Sequence, residues 1–254
     1  MHRSPIEQQL LLVLQTAALI ALCFRIWRLG LHRKYAYFFT YLLLALIQSA
    51  ILTAIPYGTT IYGYAWLATE APIVCFYALI AVECYTKIFS SLPGIKSLSR
   101  RYIKLSLAAA LLCAVLLLGF EKTPTRVFAY FLTFESSVVL SVVVFVLLIT
   151  AYLVYYPVPL TRNVIVYSVG YAVYFLTKAA ALFIRNIGSQ WNRPVNTLLI
   201  AVSTGCLIFW LFALTRRGET QRMVIGHKWD SGDEERLLSQ LQAINASLSR
   251  ASRK

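Results

Sequence analysis

The segment VIVYSVGYAVYFLTKAAALFI, from Val164 to Ile184, contains a single charged residue, Lys178. A helix of about 20 predominantly apolar residues spans the hydrocarbon core of a bilayer, which is about 30 Å thick. The segment is therefore predicted to cross a membrane. A charged side chain at such depth costs about 2.5 to 3.5 kcal/mol on insertion scales, so Lys178 needs a partner or a water-filled cavity.

Six further segments of similar length and polarity lie elsewhere in the chain. The sequence is 59% hydrophobic and only 13% charged, whereas soluble domains carry about 25% charged residues. These features predict an all-α, polytopic membrane protein: a seven-transmembrane helix bundle over residues 1–217, followed by a tail over residues 218–254. The other predicted spans are Ile6–Trp27, Ala36–Ile55, Ile61–Phe89, Ile103–Phe120, Val127–Tyr155 and Pro194–Leu214.

Basic residues predict the orientation of the chain, because Lys and Arg accumulate in short cytoplasmic loops. Fourteen of them border the predicted spans on one side and five on the other. This asymmetry predicts an N-terminus outside and a C-terminus inside, in the plasma (inner) membrane, with multiple passes. The net charge of +14 then belongs mainly to loops that face anionic lipid headgroups, so we expect no nucleic-acid partner.

Polar residues recur at one depth of the predicted bundle. With a rise of about 1.5 Å per residue, Glu70, Glu135 and Lys178 all lie about 9 to 14 Å below the outer ends of their helices. Gln15, Gln48, Ser203 and Thr204 reach a similar level. We therefore expect Lys178 to be ion-paired to Glu135, Glu70 or both, within a cavity that opens outward.

Helical periodicity predicts which side chains surround that site. Tyr167, Tyr171, Tyr174 and Lys178 share one helical face, and Trp66 and Tyr77 share a face with Glu70. Pro72 is expected to kink the same helix beside the carboxylate. The predicted ligand-binding residues are Glu70, Glu135 and Lys178 as the charged core, lined by Gln15, Gln48, Tyr171, Tyr174 and Trp66.

A structural interpretation of the same residues stays open, since a buried Lys–Glu pair can simply hold a bundle in one register. Glu83 and Lys87 are predicted to form a pair near the inner surface, four residues apart. The five cysteines fall inside the predicted spans and are read as packing residues. All three histidines lie outside the spans, so neither an intramembrane metal site nor a cofactor is predicted.

The tail is predicted to contain a cytoplasmic amphipathic helix. Acidic residues fall in its first turn and basic residues at its end, which complements the helix dipole. Its apolar seam consists of Leu237, Leu241, Ile244 and Leu248. Residues 233–250 could lie against the inner membrane surface or the loops of the bundle, or they could dock a second copy of the chain or a cytoplasmic protein.

The plan of seven helices with the N-terminus outside resembles that of seven-helix receptors. The length, the short loops and the acidic-to-basic terminal helix are similar to those of uncharacterised bacterial seven-transmembrane integral membrane proteins. The resemblance implies a small-ligand sensor with an outward-facing polar pocket. The chain departs from the G-protein-coupled pattern at Glu83-Cys84-Tyr85, where an arginine is missing. It departs from retinal proteins in carrying its lysine on the sixth predicted helix rather than the seventh.

Other functions compete with a sensor. One alternative is a small-solute transporter built from two parallel triple-helix repeats around a linker helix, which would be Ile103–Phe120. In such a repeat the equivalent positions would be Gln15 and Glu135, Gln48 and Lys178, and Glu70 and Thr204. Spans one, two, five and six lack the prolines of sugar transporters of this plan. A structural or assembly subunit is the third alternative. No enzyme is predicted, because the sequence has no Gly-x-Ser-x-Gly and no phosphate-binding glycine loop.

Overall fold

The computed structural model describes residues 6–56, 59–89, 127–155, 158–187 and 192–225, together with residues 239–240, 242–243 and 246–247 of the tail. Six α-helices account for most of these residues: α1 (Ile6–Arg28), α2 (Ala36–Ala54), α3 (Thr60–Ile88), α4 (Val127–Tyr155), α5 (Arg162–Ile187) and α6 (Asn192–Ala213). Each is long and apolar enough to cross a membrane. The chain is therefore an integral membrane protein with several passes.

The predicted span Ile103–Phe120 lies outside the described residues, and the total of seven helices and the orientation stay predictions. The other six predicted spans all coincide with helices. Local sequence accounts for several of their ends. Gly30 has a φ of 70° just beyond α1, a left-handed conformation that glycine adopts at little cost. Thr59 caps α3 by accepting a hydrogen bond from the backbone N–H of Tyr62.

The six described helices form a closed ring in chain order, because α6 packs against α1 as extensively as sequence neighbours pack against one another. Helix α3 also contacts α5 across the ring. Large apolar side chains on the perimeter are exposed, among them Val13, Phe24 and Phe183. A perimeter of this kind belongs in lipid.

Aromatic rings fill the bundle near the end where α2 and α5 begin. We call this end the tail side and the rings the aromatic layer. Phe38 lies at its centre, with the rings of Tyr167, Tyr171 and Trp210 between 5.0 and 5.7 Å away. Trp210 approaches α5 closely because residue 170 is a glycine: a Cβ there would overlap the indole.

Two short strands on the tail side were not predicted from the sequence. Strand β1 (Val158–Thr161), between α4 and α5, pairs antiparallel with β2 (Arg222–Ile225), which follows α6. The backbone N–H of Arg162 extends the ladder by donating to the carbonyl of Gln221 at 2.9 Å. Residues 221–225, just after the predicted boundary at 217, are therefore hydrogen-bonded to the segment that leads into α5.

Six residues are described in the region of the predicted tail helix. They are residues 239–240, 242–243 and 246–247, and all of them are helical and exposed. The apolar seam of Leu237, Leu241, Ile244 and Leu248 lies outside the described residues. Its contact with a membrane surface, a second copy or a cytoplasmic partner stays a prediction.

Candidate functional site

Lys178 forms ion pairs with both predicted acids, which are the partners that its buried ammonium needs. Its Nζ lies 2.7 Å from Oε1 of Glu135 and 3.4 Å from Oε1 of Glu70. These three residues, here called the charge cluster, come from α3, α4 and α5, and each is between 5% and 8% exposed. The cluster thus joins three helices through groups that are almost completely removed from solvent and lipid.

A phenol takes the third hydrogen bond of the lysine. Lys178 Nζ donates to the hydroxyl of Tyr77 at 2.6 Å. Since an ammonium has three N–H donors, Glu135, Tyr77 and Glu70 together satisfy all of them. Tyr77 lies on α3 two turns beyond Glu70, on the same helical face.

Gln48 of α2 completes the surroundings of Glu70. Its Nε2 donates to Glu70 Oε2 at 2.8 Å and lies 3.2 Å from the hydroxyl of Thr69. Four helices therefore meet at the charge cluster. This is part of the predicted convergence of polar residues at one depth; Gln15 and Ser203, predicted at the same level, bond to each other instead.

A small cavity of about 30 Å³ lies beside the charge cluster, between α1, α2, α5 and α6. Space of this size holds about two water molecules. Gln15 and Ser203 border it, joined by a hydrogen bond of 2.7 Å from Gln15 Nε2 to Ser203 Oγ. The remaining lining residues are Leu19, Tyr41, Ala45, Tyr174, Leu207 and Trp210.

Tyr174 connects the cavity to the charge cluster. It lines the cavity, and its hydroxyl lies 3.2 Å from that of Tyr77, which in turn accepts from Lys178. Polar groups therefore lead without a break from the cavity wall to the buried ammonium. The prediction placed one cavity around the charges, whereas the structure has a cavity beside them and a phenol pair between.

Two of the predicted lining residues lie elsewhere. Tyr171 belongs to the aromatic layer, with its ring stacked 5.5 Å from Phe175, and it is absent from the cavity wall. Trp66 packs edge-on against Phe131 at 5.6 Å. Helical spacing identified the correct helices, but each of these rings turns toward an apolar neighbour.

Sequence reasoning left out Tyr41 and Trp210, and it named Tyr77 only as a neighbour of Glu70. A signal for all three was available. Tyr41 precedes Gln48 by seven residues, Tyr77 follows Glu70 by seven, and Trp210 follows Ser203 by seven. Two helical turns return a side chain to nearly the same face, so each of these three polar residues has an aromatic companion two turns away on its own helix.

Glu83 has a different role from the predicted pair with Lys87. Its carboxylate accepts hydrogen bonds from the backbone N–H groups of Tyr37 and Phe38, at 3.2 and 3.1 Å, and from the hydroxyl of Tyr167 at 3.1 Å. Glu83 therefore caps the first turn of α2, where free N–H groups favour negative charge. Lys87 instead lies 5.6 Å from the ring centre of Tyr35.

Glu219, just after α6, ties the tail segment to the bundle. It accepts hydrogen bonds from Asn163 at 2.7 Å, Tyr35 at 2.9 Å and Lys34 at 3.1 Å. Its partial burial by itself would raise the pKa of the carboxyl, but these three donors outweigh burial and lower the pKa below its usual 4.5. We call these four residues the tail junction.

Comparison of the chain with protein-family models, with curated proteins and with solved structures gave no match. Within the described ranges, no group of three or more His, Cys, Asp or Glu side chains is arranged to hold a metal ion. The features of the chain that bear on function are the charge cluster, the cavity and the tail junction.

Proposed function

We propose that this protein is a small-ligand sensor of the plasma membrane, with its ligand site formed by the cavity and the charge cluster. The observation that carries the proposal is the position of Tyr174, which borders the cavity and reaches Lys178 through the hydroxyl of Tyr77. A ligand that enters the cavity meets the amide of Gln15, the hydroxyl of Ser203 and the phenols, and it acts on the buried charges through them. Sites of this type combine apolar walls with a few convergent polar groups.

The structure also offers a physical link from this site to the tail. Helix α5 carries Lys178 at the charge cluster and Asn163 at the tail junction, where Asn163 donates to Glu219. A packed helix moves as a unit, so a shift of α5 that follows ligand binding also displaces Asn163. The tail then carries the signal to a cytoplasmic partner or a second copy through residues 233–250.

The cavity constrains the ligand. At about 30 Å³ the cavity takes only a few non-hydrogen atoms without rearrangement. Its lining residues can form hydrogen bonds through an amide, hydroxyl groups and the N–H of an indole ring. We therefore propose a small polar ligand, and a larger one requires the helices around the cavity to separate. No reaction is assigned to the chain.

A thermal-unfolding screen tests the proposal. The purified chain in detergent is heated with a panel of small amines, amino acids and carboxylates. A ligand at 100 times its Kd stabilises the folded state by about 2.7 kcal/mol, which raises Tm by about 5 to 10 °C for a chain of this size. The shift is expected to disappear in Gln15→Leu, which alters the cavity wall.

Thr177→Val is the matched control for this screen. Thr177 is next to Lys178, but it is only half-buried and its hydroxyl donates to the carbonyl of Val173 in its own helix. The ligand-induced shift should persist in this variant. A panel in which every shift is the same for the parent and for Gln15→Leu would contradict a ligand site at the cavity, and the charge cluster would then be a structural device.

A small-solute transporter is the second candidate, and the order of the helices in the ring is compatible with it. Helix α2 lies between α1 and α3, just as α5 lies between α4 and α6. The two halves thus have the same order, as two parallel triple-helix repeats require. Uptake of a labelled ligand into proteoliposomes separates the candidates, since a carrier accumulates label inside the vesicles and a sensor only binds it.

A further inference from the structure

The formal charges of the charge cluster do not balance. Lys178 supplies one positive charge, whereas Glu70 and Glu135 supply two negative charges when both are ionised. All three side chains are buried. A buried charge without a partner costs several kcal/mol, and a carboxylate in that position takes up a proton instead.

The described helices around the charge cluster bring no second cation to it. Helix α2 has no charged residue, and Glu135 is the only charged residue of α4. On α5, Arg185 lies two turns beyond Lys178 and its guanidinium donates to Asn196 at 3.0 Å. On α3, Lys87 lies near Tyr35 on the tail side. No described residue other than Lys178 therefore brings a positive charge to the cluster.

The other titratable groups that face the cluster are the phenols of Tyr77 on α3 and Tyr174 on α5. Tyr77 accepts from the ammonium and is hydrogen-bonded to Tyr174. Helix α2 contributes the phenol of Tyr41, 5.8 Å from the ring of Tyr77. Neutral phenols stabilise the ammonium by hydrogen bonding but leave the surplus negative charge uncompensated.

We propose that the charge cluster is a proton-binding site: it holds one proton in addition to those of the Lys178 ammonium, and this proton resides on the carboxyl of Glu70. The cluster is then neutral, with an ammonium, a carboxylate on Glu135 and a carboxylic acid on Glu70. Glu135 is the carboxylate because its oxygen lies 2.7 Å from Lys178 Nζ, against 3.4 Å for Glu70. Coulomb attraction favours the charge at the shorter distance.

Gln48 suits a carboxyl that changes between two protonation states. Its side-chain amide lies 2.8 Å from Glu70 Oε2. The NH₂ end donates to a carboxylate, and after a half-turn of the amide the oxygen accepts from a carboxylic acid at the same distance. Glu135 has its close contact with the ammonium, which can only donate. Glu70 is therefore the acid with a partner for both of its states.

The cavity offers the proton a path to water. Two water molecules fit in its volume, Tyr174 borders it, and the Tyr174 and Tyr77 hydroxyls lie between it and Lys178. A proton moves along such a chain by successive exchange between waters and hydroxyls; in the last exchange Lys178 passes a proton to Glu70 Oε1, 3.4 Å away, and takes one back from Tyr77. The inference extends the proposed function, because a ligand in the cavity would bind with an affinity that depends on the protonation of Glu70.

Infrared spectroscopy of the full chain in lipid vesicles near neutral pH tests the inference without any ligand. A protonated carboxyl has a C=O stretching band separate from the carboxylate bands. The spectrum of the parent minus that of Glu70→Gln should contain one such band. The parent minus Glu135→Gln should contain it too, because in either variant the one remaining acid is a carboxylate that neutralises Lys178. Other buried acids, such as Glu83, cancel in the subtraction.

Two further variants place the proton on a particular carboxyl. Gln48→Leu should shift the frequency of the band, because the hydrogen bond to Glu70 is lost. Gln15→Leu, the matched control, removes an amide at the same depth that bonds to Ser203 instead, and it should leave the band in place. Lys178→Met should increase the band, because both acids then take up protons.

Absence of a carboxylic-acid band from both Glu→Gln differences overturns the proton site, whatever the ligand screen shows. A band that Gln48→Leu leaves unchanged overturns the assignment to Glu70. If Lys178→Met fails to fold, the two Gln variants and the two Leu variants still decide the question. A ligand screen without any hit, combined with a clear band, rejects the ligand site and supports the proton site.

Discussion

Lys178→Met removes the charge that holds α3, α4 and α5 together and should cost a large part of the stability of the bundle. At 2.7 Å and an effective dielectric constant of about 20, the attraction between Lys178 and Glu135 is about 6 kcal/mol. Loss of the buried ammonium also removes its desolvation cost, which offsets part of this term. The net destabilisation should be about 3 to 5 kcal/mol, the range for deleting one partner of a buried ion pair.

Reversible unfolding in mixed detergent micelles, followed by circular dichroism, measures this loss. The same titration on Thr177→Val supplies the baseline, because Thr177 is not a member of the charge cluster and its hydroxyl bonds within its own helix. Its loss should change the free energy of unfolding by no more than about 0.5 kcal/mol. A Lys178→Met variant that unfolds with the same free energy as the Thr177→Val control would refute the ion-pair argument.

Double variants then distinguish the two acids. In Lys178→Met/Glu135→Gln, Glu135 no longer has to be buried without a cation and Glu70 stays a carboxylic acid, so the combined loss should be smaller than the sum of the single losses. We expect a coupling energy between about 0.5 and 3 kcal/mol, the range for residues in contact. The coupling should be weaker for Glu70, which lies farther from Lys178 Nζ. Additive losses for both acids would mean that the three groups do not act as a unit.

Three further predictions concern other parts of the bundle. The hydrogen bonds of Glu219 lower its pKa, so its carboxylate should stabilise the folded state above pH 4.5, the ordinary pKa, and lose this effect as the pH falls below it. The difference in unfolding free energy between the parent and Glu219→Gln should therefore shrink on acidification. A difference that stays constant would contradict the hydrogen bonds assigned to Glu219. Glu83→Leu should destabilise the chain by about 1 to 3 kcal/mol, because it leaves two backbone N–H groups at the start of α2 without their acceptor. The same unfolding titration measures this loss, and an unchanged midpoint would exclude a capping role. Gly170→Ala should lower the free energy of unfolding by about 1 to 3 kcal/mol, because the new Cβ overlaps Trp210. The control Gly205→Ala places its Cβ in open space and should be neutral or stabilising. Equal effects of the two would show that the approach of Trp210 to α5 is not tight.

The six described helices and their approximate lengths could be predicted from the sequence because they depend on local composition. A run of about 20 apolar residues has few alternatives to a membrane helix, since every backbone polar group must be satisfied within the segment. The need for an acid near Lys178 could also be predicted, because the cost of an isolated buried charge does not depend on the details of the fold. Glu70 and Glu135 were the two acids at the right depth, and both contact the lysine.

The rotation of each helix about its axis could not be predicted from the spacing alone. Tyr171 and Tyr174 are three residues apart on α5, yet one packs in the aromatic layer and the other borders the cavity. A difference of this size depends on which neighbouring helix a face meets. Trp66, which turns to Phe131 instead of the charge cluster, is a further example.

By itself, then, the sequence determined that this chain crosses a membrane several times and that Lys178 must meet a carboxylate inside it, because hydrophobicity and desolvation act on each segment separately. Only the tertiary structure decided that Glu135 is the nearer acid, that Glu83 caps α2 and that residues 222–225 pair with residues 158–161. These contacts join groups that are 43 or more residues apart in the chain. They are set by how the helices pack around the ring, which no local pattern specifies.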